Sequence, residues 1–133
     1  MSEIVDFVRH RSSLITPLVL KRVVRELPLL KAEFTQINAP EFPHLVDQLE
    51  FLADVVEDFS EGLLDDLPFA AAASATFALI YAHQIVDLIP DNSKHGHDDD
   101  SSVVRGVLLL HEKAFSKAGE KLGIPWSRIT IKP

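Results

Sequence analysis

The sequence contains no cysteine, and only one methionine, one tryptophan, one tyrosine and five glycines in 133 residues. The lack of cysteine excludes disulfides, iron–sulfur clusters, thiolate nucleophiles and cysteine zinc sites. The few glycines leave no glycine-rich phosphate loop, and Ser12-Ser13 and Ser101-Ser102 lack the Gly-x-Ser-x-Gly setting of a serine nucleophile. There is no basic surplus: the net charge is −7, which argues against a primary nucleic-acid role. No β-rich region, repeat or low-complexity tract is visible. The longest apolar stretch, Leu67 to Ala82, is 16 residues, short of the roughly 20 that a membrane span needs. Met1 to Arg11 is polar and charged, without the apolar run of a secretory leader. The expectation is a cytoplasmic protein.

What is present is ordinary globular material, with 47% apolar and 25% charged residues. The length is that of one domain, read as a single helical domain over 1–133 with a tail at 124–133. Charge is segregated. Residues 1–31 hold six Lys/Arg and three acids, 41–66 hold nine acids and no Lys or Arg, and 101–133 hold six basic and two acidic residues. Such blocks predict helices of opposite sign packed together, or a charged face for a partner.

The fold class is all-α, a compact bundle of four to five helices with a nearly buried, alanine-rich central helix. Ser2 caps a short first helix near 3–12. Thr16 and Pro17 read as N-cap and first helical residue, since proline lacks only an N–H that is unpaired there anyway. Pro28 is expected to break or kink the second helix, with Leu29 to Phe34 continuing it. The third segment has an apolar seam at Leu45, Leu49, Leu52, Val56, Phe59 and Leu63, alternating spacings of four and three. Acids at Asp47, Glu50, Asp54, Glu57 and Glu61 follow the same rhythm on the opposite face, and Gly62 closes the helix. Asp65 or Asp66 is expected to cap the fourth segment. Residues 90–99 read as a polar loop, with Gly96 at positive φ and one of Asp98 to Asp100 capping the fifth helix. That helix carries Val104, Val107, Leu108, His111, Phe115, Ala118 and Leu122 on one stripe, and Gly123 stops it. The tail from Trp126 to Pro133 alternates weakly and reads as a short extended arm.

Candidate chemistry concentrates at 83–100: His83, Asp87, Asp91, His95, His97, Asp98, Asp99 and Asp100. Imidazole with carboxylate suits a divalent metal such as zinc, nickel, iron or manganese. The candidate ligands are His83, Asp87, His95, His97, Asp99 and, from the next helix, His111. Neither H-E-x-x-H nor E-x-x-H is present. An EF-hand register from Asp91 places Gly96 correctly but puts Ser102 where a bidentate Glu is required. The competing reading is structural: no cofactor, a turn at 90–99, and His111 as a hydrogen-bonded core residue.

The string Tyr81-x-x-x-x-x-Asp87-Leu88-Ile89-Pro90-Asp91, followed by Gly96-x-x-Asp99-Asp100 and an apolar helix, resembles the YkvA-like bacterial domain family. That family's pattern is Y-x-x-S-P-x-D-L-I-P-D, a loop, then G-x-x-D-D. The resemblance covers 67–123. Gln84-Ile85 replaces the family's Ser-Pro, and the loop to Gly96 is slightly shorter. The family has no established biochemical activity, so the resemblance implies a small helical domain and singles out Asp87, Pro90, Asp91, Gly96, Asp99 and Asp100 as a motif. Asp87 is expected to be partly buried and to accept N–H bonds from the start of helix five.

With no catalytic motif, the leading expectation is a non-enzymatic interaction or scaffold domain that self-associates as a homodimer or engages a protein partner. The alternatives are a divalent-metal binder or metal-dependent enzyme at 83–100, and, ranked last, a peripheral membrane adaptor using the basic face around Lys21, Arg22 and Arg25.

Overall fold

The computed structural model describes residues 2–88, 94–129 and 132, with side chains described at 3–83, 100–129 and 132. These residues form seven helices and no strand: α1 (Ser2–Ser12), α2 (Pro17–Thr35), α3 (Leu45–Ser60), α4 (Phe69–Leu88), α5 (Lys94–Leu110), α6 (Glu112–Leu122) and α7 (Trp126–Ile129). The all-α class is as expected, but the division differs.

Cross-helix contacts set the directions. Lys31 late in α2 meets Asp54 in the middle of α3. Glu33 near the end of α2 meets His83 near the end of α4. Ser74 early in α4 meets His111, just beyond α5. Phe7 of α1 packs on Phe77 and Tyr81 of α4. Therefore α2 and α4 run one way, and α1, α3 and α5 the other. The end of α1, the start of α2, the end of α3, the start of α4 and the end of α5 all lie at one end of the bundle.

Local sequence explains most boundaries. Thr16 is extended (φ −101°, ψ 163°) and its side chain accepts from the Val19 N–H at 3.2 Å. Pro28 lies inside α2 without ending it. Leu27 and Leu30 on either side are buried, and this packing holds the helix across the missing hydrogen bond. The α3 seam is buried at Leu45, Leu49, Leu52 and Val56, and Phe59 is partly buried against Phe69. Leu63 departs from it. Gly62 adopts φ +79°, the chain turns, and Leu63 is left 59% exposed. Phe51, Ala53, Val55 and Gln48 are buried too, so α3 is covered on far more than one stripe.

Three further expectations are corrected. α5 starts at Lys94, so His95, Gly96, His97, Asp98 and Asp99 belong to a helix rather than a loop. Gly96 is not a positive-φ turn, and Asp98 to Asp100 lie beyond the first turn instead of capping it. The fifth helix breaks at His111 (φ −122°, ψ 38°), which separates α5 from α6. The tail is not extended at its start: Trp126–Ile129 is helical, with Trp126 edge-on to Phe51 and Ile129 buried. Gln48 fastens the tail, donating from Nε2 to the carbonyls of Lys132 at 2.9 Å and Ile129 at 3.4 Å. α4 starts only at Phe69, so Asp65 and Asp66 lie upstream of its cap position, and the Asp66 carboxylate instead meets Lys121 of α6 at 3.2 Å.

Alanines let the helices approach. α4 buries Ala71, Ala72, Ala75, Ala78 and Ala82, and packs on α1, α2, α3 and α5. On α5, a Cβ at Gly106 would lie 3.3 Å from Val8 and 3.4 Å from Ile4, so α1 sits directly on that glycine.

Candidate functional site

The end of the bundle where α1, α4 and α5 converge holds a cleft of about 440 Å³. α1 contributes Arg9 and Ser12, and the turn after it contributes Ser13 and Ile15. The first turns of α4 contribute Phe69, Ala70, Ala73 and Ser74. The α5–α6 junction contributes Leu110 and His111. Most of this wall is apolar, and among the described residues Arg9 is its one formally charged side chain.

The polar groups are specific. Ser74 Oγ lies 3.0 Å from His111 Nε2. The hydroxyl donates when Nδ1 carries the imidazole proton and accepts when Nε2 does. Ser74 is buried, and His111 is half-buried with its ring edge-on to Phe115 at 5.9 Å. Burial pulls the His111 pKa below its usual 6.5, and the nearby Arg9 guanidinium pushes it the same way. The ring is therefore held neutral at neutral pH. Ser12 is 7% exposed, and its hydroxyl is buried with no hydrogen-bond partner. Arg9 is exposed at the rim, where it pairs with Asp6 one turn earlier at 3.0 Å.

The break at His111 creates this arrangement. An unbroken helix would carry its residues on along the α5 axis. The bend instead sends α6 toward the α3–α4 turn, where Lys121 reaches Asp66, and leaves the His111 ring over the start of α4.

The candidate metal ligands are placed differently. His83 Nδ1 lies 2.7 Å from Glu33 Oε2, across from α2. His111 is at the opposite end of α4, beside Ser74. Asp100 is fully buried on α5. Asp87 is in the last turn of α4, and His95, Gly96, His97 and Asp99 are in the first turns of α5; their side chains lie outside the described residues, as do Pro90 and Asp91 altogether. Among the described residues, no group of three or more His, Asp or Glu side chains is placed to hold a metal ion. No described helix is long and apolar enough to cross a membrane.

Sequence reasoning set Ser12 aside as a nucleophile and passed over Arg9 and Ser74. Ser74 interrupts an otherwise apolar segment, which marks a buried hydroxyl in need of a partner, but His111 is 37 positions away.

Comparison of the chain with protein-family models, with curated proteins and with solved structures gives no match.

Proposed function

We propose that this chain is a non-enzymatic interaction domain, a bundle packed around the alanine-rich α4, that pairs with a second copy of itself through the end bearing the cleft. The observation that carries the reading is where its large apolar side chains are left in water. Among the described residues six are exposed: Leu14, Leu18, Leu29, Leu63, Phe69 and Leu109. Five of these, all but Leu29, belong to the turns and helix ends gathered at that one end. Scattered exposed leucines are normal on any protein, whereas a concentration at one end is the mark of an interface.

The charges around this end favour a second copy as the occupant. Arg11, Lys21 and Arg22 are exposed on the α1–α2 side, and Glu61 and Asp65 on the α3–α4 turn. A surface bearing both signs on separate segments is complementary to itself under a two-fold rotation, which sets each copy's bases against the other's acids.

Light scattering on the full chain tests this. The expected result is a dimer mass at micromolar concentration and a monomer mass for Leu18→Glu with the helical signal unchanged. A monomer mass for the parent protein would refute the reading.

A further inference from the structure

We propose that the outer ridge of α2 lies on an anionic membrane surface, with Leu29 entering the headgroup layer and Lys21, Arg22 and Arg25 meeting lipid phosphates. This goes beyond self-association and gives a role to Leu29, the exposed leucine that lies away from the cleft end. Helix geometry defines the ridge. Leu20, Val23, Leu27, Leu30 and Phe34 turn into the core. At about 100° per residue, Leu18, Lys21, Arg22, Arg25 and Leu29 share an arc of about 100° on the opposite side. All five are exposed, the two leucines at 59% each. Leu18 marks where the ridge meets the cleft end, and Leu29 stands about 16 Å further along the axis.

The charges of the ridge are all of one sign and unspent. Among the described residues, Lys21, Arg22 and Arg25 form no ion pair, unlike Arg9, Lys31 and Lys121. The acids of α2 stay off the arc: Glu33 turns to His83 at 2.7 Å, and Glu26 falls on the flank. This local surplus stands on a chain of net charge −7, so any attraction to an anionic surface belongs to the ridge and not to the protein as a whole. Lipid fits it better than the other anionic partners. Bases beside exposed leucines on a convex face call for phosphates with hydrocarbon just beneath them, which a headgroup layer supplies. A single-stranded nucleic acid would use stacking aromatics, and the ridge has none. The acidic face of a second copy's α3 already gives Asp54 and Glu57 to Lys31 of its own chain.

Sedimentation of the full chain with lipid vesicles tests the assignment. Phosphatidylcholine vesicles with about one-third phosphatidylserine should carry the protein down, vesicles of phosphatidylcholine alone should not, and added salt should release it. Arg25→Gln should weaken binding about fivefold, and Gln at 21, 22 and 25 together should weaken it roughly a hundredfold. Leu29→Ser should weaken it about threefold or more with the dimer mass unchanged. Lys113→Gln with Lys117→Gln, at exposed positions on α6, should bind as the parent does. The proposal fails if the anionic vesicles leave the protein in solution at low salt, or if neutral vesicles bind it equally. It also fails if Arg25→Gln and Leu29→Ser both bind as the parent does, or if the α6 variant loses as much as they do. A parent that ignores vesicles while Arg25→Gln loses the dimer mass would put a second copy on the ridge instead. Saturable binding of a single-stranded oligonucleotide in place of vesicles would overturn the assignment too. Failure of the light-scattering test alone leaves it standing.

Discussion

Midway along the bundle and at its cleft end, the chain handles similar side chains in opposite ways. In the middle, Leu49, Leu52 and Val56 of α3 are fully buried, and Lys31 bridges to α3 beside them, 2.9 Å from Asp54 and 3.6 Å from Glu57. At the end, Leu14, Leu18 and Phe69 remain exposed, and the polar contact is the neutral Ser74–His111 pair inside a cleft. The apolar residues in water are thus not the overflow of a core too small to hold them. The core is complete where the helices lie side by side. Except for Leu29, the exposed residues sit where the helices stop and turn, so their exposure is a property of that end.

The sharpest test of this contrast is truncation on each side. Leu52→Ala should cost about 2–5 kcal/mol, because it leaves a cavity in packing that cannot relax. Leu18→Ala should cost less than about 0.5 kcal/mol of monomer stability. Denaturant unfolding of both variants decides it, and equal losses would erase the difference between the two regions.

An intermediate effect is expected at the cleft. Ser74→Ala leaves His111 without its partner and should cost about 1–3 kcal/mol. The pair also gives a pH signature. His111 has its pKa lowered in the fold, so the unfolded chain binds the proton more readily. The stability owed to the neutral ring is therefore full above the unfolded value of 6.5 and declines as pH falls below it toward the folded value. Thermal unfolding of the parent and of His111→Gln should show their difference shrinking as pH falls through 6.5. A constant difference would mean that the ring is not held neutral.

The smallest effect belongs to the surface bridge. Burial draws the Lys31 pKa down, but Asp54 and Glu57 outweigh it and leave the value raised above 10.5. The contribution is therefore present below 10.5 and lost as pH rises through the folded value. With both side chains more than a third exposed, Asp54→Ala should cost about 0.2–1 kcal/mol, less in high salt. The pKa of Asp58, on the same acidic face, is also raised, but for a carboxylate this disfavours the charged form. Partial burial and its neighbours Glu57 and Asp54 raise its pKa above 3.8, a mild strain that protonation would relieve.

Much of the α-helical frame was legible in the residues because its signals are local. The four-three spacing of α3, the Thr16–Pro17 start and the Gly62 and Gly123 stops each lie within a turn of what they control. α5 was misread at its start because Lys94 to Asp99 are polar and carry a glycine, a composition that resembles a turn. The tail helix was missed because Trp126 and Ile129 are held by α3, some 75 positions earlier for Trp126 against Phe51. The cleft was illegible for the same reason on a larger scale. Ser12, Ser74 and His111 carry no spacing in common, and their meeting depends on helix directions and on the bend at residue 111.

The close seat of α1 on Gly106 has a consequence for the order of assembly. α2 with α3, α3 with α4, and α4 with α5 are sequence neighbours, and each pair closes through a short connection. α1 must instead find α5 across the whole intervening chain, 98 positions from Val8 to Gly106. Loop-closure entropy makes such a distant pairing slow until its target surface exists. The pairing of α1 with α5 is therefore expected to close late in folding, once α4 and α5 are in place to receive it. Since α1 supplies one wall of the cleft, the cleft exists only while α1 is docked. Anything that settles there acts as a latch on the N-terminal helix.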